Sequence, residues 1–190
     1  MVTSSSGRTW LLFVHQLPPK PTALRVRTWR RLHQLGAVPI KQAVYALPDT
    51  AESREDFEWL KAEVEVSGGQ AVVFSANSID VWSDDELVEA FRRSAHEAYN
   101  SLAEDLKKTM HDMATKSKKK GARAPAVGRL LDSYRERAGA LERTDFFAAP
   151  GRDRVNSLLD QLSKWADRKT APQPSRPAKH DDTDSASACG

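Results

Sequence analysis

Residues 10–49 read WLLFVHQLPPKPTALRVRTWRRLHQLGAVPIKQAVYALPD, and this stretch decides the fold. Trp10–Leu17 is an apolar-aromatic run stopped by Pro18-Pro19, the pattern of a buried strand. Pro21 and Thr22 open a helix, with Thr22 expected as its N-cap. Leu24, Thr28, Leu32 and Leu35 fall within about 80° of arc at 100° per residue, so they form its buried stripe. Arg27, Arg30 and Arg31 then lie on one flank of that stripe, and Arg25 and Trp29 on the other. Gly36 supplies the helix stop. Val38–Leu47 is a second strand region, interrupted by Lys41 and Gln42, that reads as one bent strand or two pieces. Pro39 marks an edge or bulge near its start.

Outward from this stretch, Asp49 or Thr50 caps a second helix, with Glu52 completing a capping box from Asp49. Phe57, Leu60, Ala62 and Val64 supply its buried side, and Gly68-Gly69 end it. Ala71–Ala76 reads as a short buried strand. Ser83 with Glu86 is a capping box opening a long helix, whose apolar positions Leu87, Phe91, Ala95, Ala98, Leu102 and Leu106 carry it to about residue 115. A basic connector, KSKKKGARAP at 116–125, separates it from a helix over 126–143. The turn TDFFAAPGR follows, and a last helix uses Val155, Leu158, Leu159, Leu162 and Trp165. The order β-α-β-(β)-α-β predicts an α+β, ferredoxin-like domain followed by a helical region. The expected boundaries are a disordered 1–8, the ferredoxin-like domain at 9–82, helices at 83–169 and a disordered tail at 170–190. The two later helices are expected to pack as a hairpin on the long one.

At 190 residues, with 39% hydrophobic and 29% charged residues, the chain fits one domain plus an appendage. No apolar run is long enough to span a bilayer, and MVTSSSGRTW lacks a signal-peptide pattern. The single cysteine, Cys189, excludes a disulfide framework and a thiolate metal cluster. A cytoplasmic protein is expected. The net charge of +3 conceals an asymmetry. Residues 1–48 carry seven bases and no acid, 49–99 four bases and 13 acids, and 100–148 eleven bases and seven acids.

The segment QLPPKPTALRVRTWRRLHQLGA, with REDFEWLKAEV and the later TDFFAAPGR, resembles the N-terminal domain of ChrB-type chromate-resistance regulators over roughly residues 10–168. More distantly, the first elements are similar to the ferredoxin-like domain of phenylacetate-type repressors and of the small CRISPR-associated nuclease. The ChrB resemblance implies a bacterial cytoplasmic protein that regulates a chromate efflux operon in response to chromate. It also implies a second, chromate-resistance domain, where this chain instead shows a Pro/Ser/Asp-rich tail.

The candidate contact residues are Arg25, Arg27, Arg30 and Arg31 with Lys41, and Lys118, Lys119, Lys120 and Arg123 in the connector. Such cations neutralise DNA phosphates and release counterions, and Arg can fork onto a base edge. The same guanidinium groups suit a tetrahedral oxyanion such as chromate. The competing reading pairs the arginines with the acids of residues 49–65, and leaves the connector a solvated linker. Catalysis is not expected. Phosphate-loop, GxSxG and dinucleotide glycine patterns are absent, and the histidines show no metal-ligand spacing. Leu17-Pro18-Pro19 stand where the nuclease would need an acid. His15 is expected to be a packed or edge histidine rather than a ligand, and the tryptophans core or interface anchors. The expectation is a DNA-associated, non-enzymatic regulator that forms a homodimer, with no cofactor, metal or membrane contact. The alternative is a protein–protein interaction module or an oxyanion sensor without direct DNA binding.

Overall fold

The computed structural model describes residues 7–20, 22–77, 79, 82–117 and 124–170. The expected disorder of residues 1–6 and 171–190, and the centre of the basic connector, lie outside the described residues.

Alternation along Trp10–Gln16 (β1) points side chains to both faces of a sheet, and the chain covers the two faces with different helices. Phe13 faces inward against Phe57, with ring centroids 5.2 Å apart, under the layer formed by Thr22–Gln34 (α1) and Ala51–Val66 (α2). Trp10 faces the other way and stacks on Phe91 of Asp84–Ser117 (α3), at 5.7 Å and 8°. Val38–Lys41 (β2), Val44–Pro48 (β3) and Gln70–Ala76 (β4) complete an antiparallel sheet of order β2-β3-β1-β4. This is the predicted ferredoxin-like arrangement. Phe13 pairs with Tyr45 on one side and Val73 on the other.

The apolar region at 38–47 resolves into two strands, because Gln42 and Ala43 form the turn between β2 and β3. β2 is an edge strand with a register shift between Pro39 and Lys41, where proline's missing N–H costs the ladder nothing. Several local expectations are corrected. Thr22 is the first helical residue of α1 rather than its cap. Thr50 alone caps α2, its hydroxyl accepting from the Ser53 N–H at 3.1 Å. Asp49 does not form a box with Glu52; it takes Arg54 at 2.6 Å and the Ser75 hydroxyl at 2.9 Å. Ala62 is exposed, on the side of α2 away from Phe57, Leu60 and Val64. β4 was expected to be buried. Instead Val72 and Phe74, which lie opposite Val14 and Leu12, are 48% and 51% exposed, because α3 covers only part of that face.

The stripe Leu24, Thr28, Leu32 and Leu35 is buried as predicted, and the Ser83–Glu86 capping box closes in both directions at 3.2 and 2.8 Å. Ala124–Thr144 (α4) and Arg152–Thr170 (α5) pack with the distal half of α3 around Tyr99, Leu102, Leu106, Leu131, Val155 and Leu162. α3 thus serves two cores: Leu87, Val88 and Phe91 belong to that of the sheet.

The turn after α4 locks the two regions together. Phe146 and Phe147 pack on Phe91, and Thr144 backs onto Gly36, which has φ +71°. A Cβ on Gly36 would meet the Thr144 Cβ at 2.8 Å, whereas one on Gly68 (φ +82°) would meet nothing. Gly68→Ala is therefore expected to cost about 1 kcal/mol from backbone strain alone, and Gly36→Ala measurably more, read by urea denaturation. Asp84 provides a pH signature. The Trp10 indole N–H and the Arg8 backbone N–H hold its carboxyl below the ordinary 3.8. Its contribution is present above that value and lost as pH falls through the depressed one. Asp84→Asn should lower the melting temperature at pH 7, with the gap to wild type closing on acidification below 3.8.

Candidate functional site

Burial of Leu24, Thr28 and Leu32 leaves α1 with two cationic flanks. On the flank toward α2, the Arg27 Nε lies 2.7 Å from the Glu63 carboxylate, and its Nη2 donates to the Ser67 hydroxyl at 2.8 Å. Arg31 approaches Asp56 at 3.7 Å. Burial pushes the Asp56 carboxyl up and outweighs the lowering by Arg31, while Glu52 and Glu55 push it further up. Arg30 holds no ion pair among the described residues. Arg27 and Arg31 therefore each face an acid of α2, the pairing that the competing reading describes.

These side chains border a groove of about 1240 Å³ between α1 and α2. Its lining also includes apolar side chains open to solvent: Val26 is 41% exposed, Trp59 70% and Val66 90%. This strip escaped the sequence reading, although its signal was present. Trp59 and Val66 are two helical turns apart and both lie off the Phe57–Leu60–Val64 stripe, so they share an outward face.

Arg25, on the opposite flank, has no ion pair among the described residues. With Trp29, His15 and Tyr45 it borders a smaller cleft of about 620 Å³. His15 stacks on Tyr45 at 5.9 Å, its Nδ1 is buried without a partner, and burial lowers its pKa. It is a packed histidine, one of the two placements expected for it. Lys41 is exposed on β2 and does not line the groove of Arg27, Arg30 and Arg31; it adjoins the turn at Gln42 and Ala43 that borders the Arg25 cleft.

Lys118, Lys119, Lys120 and Arg123 lie outside the described residues, but the elements on either side of them are placed. Tyr134 meets Thr109 at 2.7 Å and Arg137 meets Asp105 at 2.8 Å, so α4 runs antiparallel to α3. The Pro150 carbonyl meets His96 at 2.6 Å, and Arg154 reaches Glu104 at 2.7 Å and Asn100 at 3.2 Å, so α5 starts beside the middle of α3 and runs parallel to it. The end of α3, the start of α4 and the end of α5 therefore share one end of the bundle. Lys108, Arg129, Lys164 and Arg168 are exposed toward this end, with no ion pair among the described residues. No group of three or more His, Cys, Asp or Glu that could hold a metal is found among the described residues, and no helix there is long and apolar enough to cross a membrane.

Residues 25–171 match the family described as Protein ChrB, N-terminal. Protein ChrB of Cupriavidus metallidurans is 30% identical over 95 residues, which are 50% of this chain and 29% of that relative's length.

The pairs Arg27–Glu63 and Arg31–Asp56 are solvent-screened, so Arg27→Ala and Arg31→Ala should each cost under about 1 kcal/mol. Arg30→Ala should leave the thermal melt unchanged. A drop well beyond this in any of the three would mean that the groove is a stabilising element of the monomer.

Proposed function

The chain belongs to the ChrB N-terminal family, and from that membership we propose that it serves in chromate resistance as a regulator that associates with DNA. The role implied by the family is control of a chromate efflux operon, with chromate as effector. The reading is non-catalytic and cytoplasmic, and has the chain acting as a homodimer. Family membership over residues 25–171 is the observation that carries it.

The distribution of charge supports the DNA part and moves its centre of gravity. Of the α1 arginines, Arg27 and Arg31 already face acids, which weakens that helix as a phosphate-binding surface. The bundle end is different. Lys108, Arg129, Lys164 and Arg168 stand there without ion pairs among the described residues, and the connector residues Lys118, Lys119, Lys120 and Arg123 join its helices in sequence. Unpaired cations on adjacent helices are what counterion release from DNA requires. Each phosphate neutralised contributes about −0.9 to the slope of log affinity against log salt.

The test is binding of the full chain to a duplex from upstream of its own operon, followed by fluorescence anisotropy at several salt concentrations, with and without chromate. Binding should weaken steeply with salt. Lys108→Ala/Arg129→Ala/Lys164→Ala should lower affinity and flatten the salt slope by about 2–3. Affinity that ignores salt, or a variant that binds as wild type does, would falsify the DNA reading. Chromate without effect on binding would remove the effector role from this chain.

A further inference from the structure

The α1–α2 face combines three features that a monomer does not use. α1 carries four arginines and no acid, while α2, beside it, carries six acids against two bases. Between them runs the exposed apolar strip of Val26, Trp59 and Val66. After the internal pairs of Arg27, Arg31, Arg54 and Lys61 are made, Arg25 and Arg30 on α1 and Glu52, Glu55 and Glu65 on α2 remain without ion pairs among the described residues. Of these, Arg30 borders the groove, while Glu55 accepts the Trp59 indole N–H at 3.5 Å.

We propose that this face docks a second copy of the chain about a two-fold axis running along the groove. The internal pairs Arg27–Glu63 and Arg31–Asp56 show that the helices are antiparallel and set which residues stand level. A two-fold along the groove lays α1 over the partner's α2 while keeping those levels. The basic helix of each copy then covers the acidic helix of the other. Arg30, level with the segment between Asp56 and Glu63, comes over the second copy's Trp59 and Glu55, for a cation–π contact and an ion pair made twice. The apolar strips meet at the centre, with the charges around them, as in other association surfaces.

Charge complementarity favours this occupant over DNA, since polyphosphate would satisfy Arg30 but press against Glu55, Glu63 and the exposed Trp59. It also favours this face over the open side of the sheet. Val72 and Phe74 are apolar there, but no charge pattern says what covers them. Two helices side by side, each about 20 Å long and about 10 Å wide, offer a footprint at the low end of stable dimers, so dissociation in the micromolar range is expected. The proposal shares the dimer of the reading above but not its DNA contacts.

Sedimentation of the full chain, without DNA, from about 1 to about 100 μM spans that range. The wild type should pass from monomer to dimer. Arg30→Glu, Glu55→Arg and Trp59→Glu should each remain monomeric with unchanged circular dichroism, since all three positions are exposed. Mixing Arg30→Glu with Glu55→Arg should restore the dimer, because that heterodimer recovers both ion pairs while each homodimer loses both. A wild type monomeric throughout would overturn the proposal, as would a dimer indifferent to these changes but abolished by Phe74→Glu. So would an Arg30→Glu chain that still dimerises yet loses the operator duplex, which would make the face a nucleic-acid surface.

Discussion

The indole of Trp10 packs in one aromatic cluster with Phe91 and Phe147, at 5.7 and 6.0 Å, and its N–H donates to Asp84 at 2.8 Å. Through that one ring the first strand is bound to the start of α3 and to the turn after α4. A large aromatic contributes buried area that few other side chains match, and a buried indole N–H needs an acceptor. Asp84 meets that need from the first turn of α3, where a carboxylate is also favoured by the helix dipole. The helical region is therefore held to the ferredoxin-like sheet by packing and by a directional bond, with Gly36 allowing a close approach of the backbone to Thr144.

The same economy governs charge. α1 and α2 cover one face of the sheet side by side, and their opposite charges are partly satisfied there, by Arg27 with Glu63 and Arg31 with Asp56. What the molecule leaves unsatisfied is more informative than its net charge. Among the described residues, Arg30 and Glu55 lack ion pairs on one face, and Lys108, Arg129, Lys164 and Arg168 lack them toward the far end of the bundle. The chain's net +3 thus conceals two separate surfaces of different character rather than one basic patch.

Much of the fold was legible in residues 10–49, because Trp10–Leu17, the Leu24–Leu35 stripe and Gly36 each obey a local rule strongly. The Ser83–Glu86 box and the apolar spacing of α3 were equally plain. Less legible were features decided by tertiary contacts. Asp49 was drawn from its capping role by Arg54 and Ser75, and Ser75 reaches it only because β4 lies beside β1. Periodicity marked AVVFSA as apolar but not that one of its faces would stay open, since that depends on how far α3 reaches across the sheet. The arginines of α1 were visible individually. Their pairing was not, because it requires knowing that α2 runs antiparallel beside them.

α3 gives the molecule a property that neither core has alone. Its 34 residues extend about 50 Å as one uninterrupted rod, with Leu87–Phe91 set in the sheet's core and Tyr99–Leu106 in the bundle's. Only residues 92–98 lie between, all of them helical, so there is no linker in which the two cores could part. Melting either segment withdraws the rod from the other core. The two regions consequently form a single cooperative folding unit, and a torque applied at the bundle end is delivered to the sheet rather than dissipated at a hinge.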